Sequence, residues 1–122
     1  MMESTAKAAL IALAWGCSFF PQAVRRSDAK LLFFTAPWCE PCLKMEPLVA
    51  NLARKYRVQM IVLDFDRSPQ AVQDFRVERL PTMILINPKG QLLLKTEDAS
   101  KQSMDALGVA LKKLRKEKNR IN

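Results

Sequence analysis

Short apolar runs interrupt the polar positions of this chain and predict the strands of its fold. Residues 30–35, 60–64 and 82–87 are mostly apolar, have the length of a strand and are bounded by polar or turn-forming residues. The run at residues 60–64 is too apolar for a half-exposed edge strand, so we expect it to be buried. Residues 88–90, with the sequence Pro-Lys-Gly, predict a turn that returns the chain as a hairpin through residues 91–95.

Two longer segments repeat their apolar residues every three or four positions, which predicts helices at residues 39–56 and 100–114. Pro47 is expected to kink the first of these helices. Between the second and third strands a short helix is predicted to begin at Pro69, with Ser68 as its N-cap. The positions that the two longer stripes predict to be buried are Met45, Leu48, Val49, Leu52, Met104, Leu107, Leu111 and Leu114.

The predicted order of elements is strand, helix, strand, helix, hairpin and helix, or βαβαββα. A helix joins the first two strands, so they should lie parallel, whereas the hairpin strands must be antiparallel. The pattern therefore predicts an α/β fold with a mixed four-stranded sheet flanked by helices on both faces. At 122 residues the chain has room for one domain of this kind, which we assign to residues 25–115.

Residues 8–20 differ from the rest of the chain because they are apolar on every helical face. The run is shorter than the roughly 20 residues that span a bilayer, but with Lys7 before it the segment matches the hydrophobic region of a secretory signal. We therefore expect residues 1–24 to be a signal peptide or membrane tether, and the protein to act outside the cytoplasm, on the periplasmic side. Arg25 and Arg26 oppose export, and the alternative is a buried N-terminal helix of a cytoplasmic protein.

Cys17 gives this segment two further interpretations. Cleavage after Gly16 would leave Cys17 as the new N-terminus, which is similar to the processing site of lipoproteins, although Leu13 and Trp15 depart from the usual pattern. Lipidation of Cys17 and an intermolecular disulfide through Cys17 are both left open by the sequence.

Composition and charge narrow the classes of function. Hydrophobic residues make up 49% and charged residues 26% of the chain, as in an ordinary globular domain. Much of the net charge of +8 lies in residues 112–120. We interpret residues 116–122 as a solvated basic tail rather than a lipid or nucleic-acid contact, because no aromatic residues or nucleic-acid motif accompany them. Histidine is absent, which excludes Ser-His and Cys-His catalysis, and three cysteines without histidine do not complete a zinc site.

The strongest chemical signal is the sequence Trp38-Cys39-Glu40-Pro41-Cys42, which follows the first predicted strand and opens the first predicted helix. A thiol in the first turn of a helix lies beside unpaired N–H groups and the positive end of the helix dipole, and both favour the reactive thiolate. The second thiol lies about one turn away and can attack a mixed disulfide formed by the first. Glu40 and Pro41 separate the thiols and are predicted to tune their reduction potential, because a carboxylate beside Cys39 disfavours its thiolate.

Over about residues 30–114 these motifs resemble the thioredoxin family. The pentapeptide at residues 38–42 is similar to the family's WCxPC active site, and Pro47 lies where members carry the proline that kinks the active-site helix. Residues 76–82 are similar to the segment that contains the family's cis-proline. The resemblance implies a thioredoxin-like fold and a thiol–disulfide oxidoreductase with no metal, nucleotide or flavin cofactor.

The resemblance also implies roles for individual residues. Cys39 would be the attacking thiolate, and Cys42 the more buried thiol that resolves the mixed disulfide. Pro81 would be cis beside the two sulfurs, and the backbone of Leu80 would pair with an extended substrate segment. Trp38 would shield the site and contact substrates, the alternative being a tryptophan packed in the core.

Some positions depart from the family pattern. A buried aspartate six residues before the first cysteine is replaced by Phe33, and the lysine that accompanies it in the second strand is replaced by Val62. The glycine near the substrate groove is replaced by Glu97 or Asp98. The Cys-Glu-Pro-Cys sequence resembles extracytoplasmic thioredoxins that reduce apocytochrome c thiols, but the insertion typical of that group is missing before Pro81.

We therefore predict an enzyme that acts mainly as a reductant of protein disulfides through Cys39 and Cys42. Its oxidised pair must be reduced again by an electron donor, for which a membrane thiol transporter or a thioredoxin reductase is the expected partner. The alternative is a binding or assembly module that uses the groove beside Pro81 as a peptide clamp. Two intact thiols favour the enzyme, because a clamp would not need both.

Overall fold

The computed structural model describes residues 29–121. In chain order its elements are β1 (Lys30–Thr35), α1 (Glu40–Lys55), β2 (Gln59–Asp64), α2 (Pro69–Asp74), β3 (Thr82–Ile86), β4 (Leu92–Thr96) and α3 (Lys101–Ile121). This is the βαβαββα order that the sequence predicted. The predicted signal or tether at residues 1–24, together with the interpretations of Lys7, Cys17, Arg25 and Arg26, lies outside the described residues.

The strands form one mixed sheet in the order β2-β1-β3-β4. β1 and β2 are parallel, with Leu32 opposite Ile61, and β3 is antiparallel to β1 on one side and to β4 on the other. The α/β class and the mixed four-stranded sheet are therefore confirmed. β1 is a central strand, and its carboxyl end delivers the chain to the segment that carries both cysteines.

The prediction that the second strand is buried was wrong for the described part of the chain. There β2 pairs only with β1, which makes it an edge strand, and Val62 is 46% exposed. A continuous apolar run indicates apolar neighbours on the two faces of a sheet. It does not indicate whether a further strand lies alongside, and this is where the inference failed.

The two faces of the sheet carry separate hydrophobic clusters, because successive strand residues point to opposite sides. Leu31 and Phe33 of β1 pack with buried residues of α1 and α3, whereas Leu32 and Phe34 pack on the other face with α2 and the loop after it. Burying a large apolar side chain contributes about 1.5–3 kcal/mol. This double layer therefore fixes β1 and the start of the loop that follows it.

One position of the predicted α1 stripe is misplaced. The buried face of α1 consists of Cys42, Met45, Val49 and Ala53, and Leu48 lies outside this stripe with 55% of its surface exposed. Leu48 precedes Val49 by one residue, which turns it by about 100° around the helix axis. Leu48 was included because it lies three residues after Met45, whereas the buried face continues through Val49 and Ala53.

Two helix ends also differ from the prediction. Ser68 occupies the N-cap position of α2, but its side chain makes no capping hydrogen bond. α3 continues to Ile121 instead of ending at Leu114, so most of the predicted basic tail is helical. Lysine, arginine and glutamate are good helix formers, and no proline or glycine interrupts them.

Within residues 29–121 no helix combines the length and the apolarity needed to cross a bilayer.

Candidate active site

The two cysteines lie at the point where β1 gives way to α1. Cys39 is the N-cap of α1, with extended backbone angles, and its sulfur accepts a hydrogen bond from the N–H of Cys42 at 3.3 Å. Glu40 and Pro41 occupy the exposed first turn. Proline is tolerated there because the first N–H groups of a helix have no intrahelical partner. The local sequence therefore aims the free N–H of Cys42, in the first turn of α1, at the Cys39 sulfur.

Cys39 and Cys42 form a disulfide in this structure, with an S–S distance of 2.16 Å and a Cα–Cα distance of 5.3 Å. Cys39 keeps 6% of its surface exposed, whereas Cys42 is fully buried. This difference in access agrees with an attacking role for Cys39 and a resolving role for Cys42. The two roles themselves stay predictions.

The surroundings of the disulfide are apolar. Ala36 packs against both cysteines, and Phe65 and Leu80 complete the cluster. The Leu80–Pro81 peptide is cis, as the resemblance implied, and the Pro81 side chain is fully buried. The structure thus brings Leu80, which precedes Pro81, against the redox pair.

Trp38 lies beside the pair at the surface, with 66% of its side chain exposed. Its indole N–H donates to Asp66 Oδ2 at 2.9 Å. The backbone N–H of Asp66 in turn donates to Asp64 Oδ1 at 2.8 Å, which anchors this acceptor to the end of β2. The alternative that Trp38 is a core residue is therefore wrong. Asp66 was missed by the sequence analysis, because nothing in a linear pattern pairs it with a tryptophan 28 residues earlier.

The position at which the resemblance expects a buried carboxylate is filled by hydrocarbon. Phe33 is fully buried and packs in one cluster with Met45 and Val49 of α1. Val62, where the resemblance expects a lysine, lies exposed on the edge strand. Phe33 cannot accept a proton, so the route by which Cys42 loses its proton must differ from one that uses a carboxylate at this position.

Of the two candidates for the replaced glycine, Asp98 has the more specific surroundings. Its Oδ1 accepts from the N–H of Ser100 at 3.1 Å, from Ser100 Oγ at 2.7 Å and from Ser103 Oγ. The hydrogen bonds from Ser103 and Ser100 hold the pKa of Asp98 below its ordinary value, and Arg79 adds a favourable positive charge. Asp98 therefore organises the start of α3, next to the segment that carries the cis-proline.

Lys95 of β4 connects the sheet to the residues after α2, which lead to the cis-proline. Its Nζ donates to the carbonyl oxygens of Phe75 at 3.0 Å and Arg76 at 2.9 Å, and it lies 3.4 Å from Glu97 Oε2. Arg76 has a positive φ of 52°, and the lysine satisfies carbonyls that the end of α2 leaves free. Sequence reasoning missed this contact, because lysine in a hairpin strand is usually a solvated residue.

In the described part of the chain no group of three or more acidic or cysteine side chains is arranged to hold a metal ion.

Comparison with known proteins gives concordant results. The family model described as Thioredoxin matches residues 15–112. A bifunctional thioredoxin reductase/thioredoxin of Mycobacterium leprae is 37% identical over 70 residues, covering 56% of this chain, and thioredoxin 1 of Nostoc sp. is 32% identical over 71 residues, also covering 56% of this chain. The oxidised form of mitochondrial thioredoxin 3 from Saccharomyces cerevisiae superposes with a TM-score of 0.59 at 30% identity, covering 71% of this chain and 82% of that one.

The alignments cover very different fractions of the two relatives' own lengths. The alignment spans 15% of the bifunctional mycobacterial protein and 66% of the Nostoc protein. The family-model match over residues 15–112 includes β1, the cysteine pair and the cis-proline segment described above. The comparisons therefore concern the domain that holds the disulfide.

Proposed function

This chain belongs to the thioredoxin family and carries a thiol–disulfide oxidoreductase centre at Cys39 and Cys42, and we propose that it acts mainly as a reductant of protein disulfides. The observation that carries the proposal is the arrangement of the pair at the N-terminus of α1. Cys39 keeps 6% of its surface exposed, Cys42 is fully buried, and Leu80, which precedes the cis-proline Pro81, packs beside them. A structural disulfide needs none of this asymmetry in access.

The reaction begins with the pair in its dithiol form. The Cys39 thiolate attacks one sulfur of a substrate disulfide, a mixed disulfide forms, and the other substrate sulfur leaves as a thiolate that takes up a proton. The Cys42 thiolate then attacks the Cys39 sulfur, which releases the second substrate thiolate for protonation and leaves the Cys39–Cys42 disulfide. Two electrons and two protons pass to the substrate.

Substrate binding is assigned to Trp38, Leu80 and Pro81. Trp38 presents an exposed ring held by Asp66, and Leu80 lies against the cysteines just before β3. An extended substrate segment running past Leu80 would gain main-chain hydrogen bonds while its disulfide approaches Cys39. The exposed ring of Trp38, the residue before Cys39, would contact the substrate next to the attacked sulfur.

A separate electron donor must reduce the Cys39–Cys42 disulfide after each turnover. A thioredoxin reductase is the donor that the comparisons favour, since the mycobacterial relative is by its name both a thioredoxin reductase and a thioredoxin. A membrane thiol transporter is the donor that would accompany export. Incubating the oxidised protein with a thioredoxin reductase and NADPH, and following NADPH absorbance, distinguishes the two.

For the location, we propose export or membrane tethering through residues 1–24, on the extracytoplasmic side. The support is the all-round apolarity of residues 8–20 after Lys7. A fusion of the full chain to alkaline phosphatase, which is active only after export, tests this. A fusion that stays inactive while a cytoplasmic reporter fusion is active would favour the buried N-terminal helix of a cytoplasmic protein.

Dithiol-driven reduction of insulin, followed by turbidity, tests the proposed activity. We expect catalysis by the wild type and by Cys17→Ser, and none by Cys39→Ser. If the wild type fails to reduce insulin, while Cys39→Ser and the wild type bind unfolded peptides equally, the chain is a peptide clamp and the proposal is wrong.

A further inference from the structure

A groove runs between α1 and α3 on the face of the sheet that both helices cover. Its volume is about 1020 Å³, and it begins at Pro41 and Ser100, where the two helices start, and extends to Tyr56 and Lys112. At about 1.5 Å per residue, the 15 steps from Pro41 to Tyr56 give a length of about 22 Å. The groove is therefore long enough for about four turns of another helix.

The walls of this groove expose large apolar side chains. Leu48 on α1 is 55% exposed and Val109 on α3 is 54% exposed, and both line the groove together with the partly buried Leu52 and Met104. Exposed leucine or valine alone is unremarkable on a protein surface. Here exposed apolar residues of two helices line the same concave surface, which is the form of a docking site for an apolar helix face.

Gly108 lies in the middle of α3 and lines the same groove. A methyl group on Gly108 would meet no packing partner within 4 Å, so the fold itself does not require glycine there. Glycine in the interior of a helix is less favourable than almost any other residue. Glycine at this position therefore leaves free space in the groove, where the backbone of a bound segment can approach α3 closely.

The rims of the groove are cationic. Lys44 lies on one side, and Lys101 and Lys112 lie on the other. At the far end the ammonium of Lys55 is 5.5 Å and the guanidinium of Arg115 is 5.8 Å from the centre of the Tyr56 ring. Among the groove-lining residues of the described chain, Asp105 is the only anion.

We propose that this groove binds an amphipathic α-helix of a partner protein, with apolar residues on its inner face and acidic residues along both flanks. The apolar face covers Leu48 and Val109, a small or medium side chain fits above Gly108, and the acidic flanks meet the lysines of the rims. The mode is that of a helix in a groove, with anchors at positions i, i+3 or i+4, and i+7. The groove meets the active-site motif only at Pro41, and binding a helix in it needs no redox chemistry, so the inference goes beyond the proposed reductase activity.

A binding measurement on the full chain in its oxidised form tests the proposal. The probe is a fluorescent amphipathic peptide of about 16 residues, matched to the groove length, with leucine on one face and glutamate on both flanks. A second peptide with lysine in place of glutamate is the charge control. We expect the acidic peptide to bind with a roughly micromolar Kd that weakens with added salt, and the basic peptide to bind at least about tenfold less tightly.

Three variants and one matched control locate the site. Leu48→Glu and Val109→Glu place a charge on the apolar walls, and Gly108→Leu fills the centre of the groove without removing any packing contact. Each should weaken peptide binding about tenfold or more. Gly108→Leu should do so with a melting temperature equal to or above that of the wild type. Leu92→Glu, at a position on β4 that is 53% exposed and outside the groove, should bind as the wild type does.

The proposal is wrong if the wild type does not bind the acidic peptide, or if Leu92→Glu weakens binding as much as Val109→Glu. A photo-reactive amino acid at position 109 identifies the occupant directly. Cross-links to the added peptide support the proposal. Cross-links to residues 8–20 of the same chain, or to a second copy of the chain, would assign the groove to one of those occupants and overturn it.

Discussion

The N–H of Cys42 donates a hydrogen bond to the sulfur of Cys39 across 3.3 Å. The first turn of α1 therefore points one of its free donors at the sulfur that we predict to ionise and attack. A negative sulfur gains more from this donor and from the helix dipole than a neutral one does. Cys42 makes this contribution through its backbone while its own side chain is buried.

The two thiols should consequently differ in reactivity. Cys39→Ser should abolish exchange, whereas Cys42→Ser should retain attack and accumulate mixed disulfides, because the resolving step is lost. Alkylation of the reduced protein at neutral pH, followed by mass spectrometry, should label Cys39 before Cys42. Labelling in the opposite order would reverse the assignment.

The hydrogen bond between Trp38 and Asp66 should matter for large substrates. Asp66→Ala frees the indole ring, and losing one such bond, worth about 0.5–1.5 kcal/mol, should raise KM for insulin about twofold to tenfold. Reduction of a small disulfide such as oxidised glutathione should change little, since it does not need the ring surface. Asp66→Asn keeps an acceptor oxygen and should restore most of the activity. Equal losses with both substrates would show that Asp66 acts on the sulfurs themselves.

The sequence was sufficient for the order of the elements, the sheet type and the position of the cysteine pair, because these follow from local spacing. The resemblance added the cis peptide before Pro81, which spacing alone does not reveal. Contacts between distant segments were not predictable in this way. Trp38 with Asp66 and Lys95 with Arg76 each join residues that are far apart in sequence, and only the folded chain pairs them.

Errors in the predicted burial have a similar cause. Leu48 was assigned to the buried stripe by its apolar spacing, and residues 60–64 were predicted to be buried because of their apolarity. In both cases the deciding factor is the arrangement of neighbours, namely the register of α1 on the sheet and the strand order. Periodicity indicates which residues share one face of an element. It does not indicate which other element packs on that face.

Removal of the N-terminal segment tests the assignment of residues 1–24. A chain that starts at Val24 should unfold cooperatively and reduce insulin as the full chain does, because a signal or tether contributes nothing to the core. Urea unfolding followed by circular dichroism measures the first property. A marked loss of stability would instead indicate an N-terminal helix that belongs to the domain.

Asp98 should make stability depend on pH in the acid range. Its pKa is lowered in the folded state, mainly by Ser103 and Ser100, so its contribution is fully present well above the ordinary value of 3.8 and is lost as the pH falls through the lowered pKa. Asp98→Ala should therefore be less stable than the wild type at pH 7, and the difference should shrink toward pH 2. Asp105→Ala, which removes a carboxylate from the exposed face of α3, is the control, and an equal convergence in both variants would show a general effect of charge instead. A difference between Asp98→Ala and the wild type that is constant with pH would assign the role of Asp98 to packing rather than to charge.

Glu40 separates the two cysteines together with Pro41, and its charge should tune the reduction potential. A carboxylate next to Cys39 disfavours the thiolate, which destabilises the reduced form and makes the dithiol a better reductant. Glu40→His removes this charge and should make the protein more oxidising by roughly 10–20 mV, the equivalent of about 0.5–1 kcal/mol for a charge near a helix N-terminus. Equilibration against a glutathione redox series measures the change. Glu46→His alters the same charge farther along α1 and should leave the potential nearly unchanged. If Glu40→His gives an unchanged or more negative potential, Glu40 serves only as a favourable first residue of the helix.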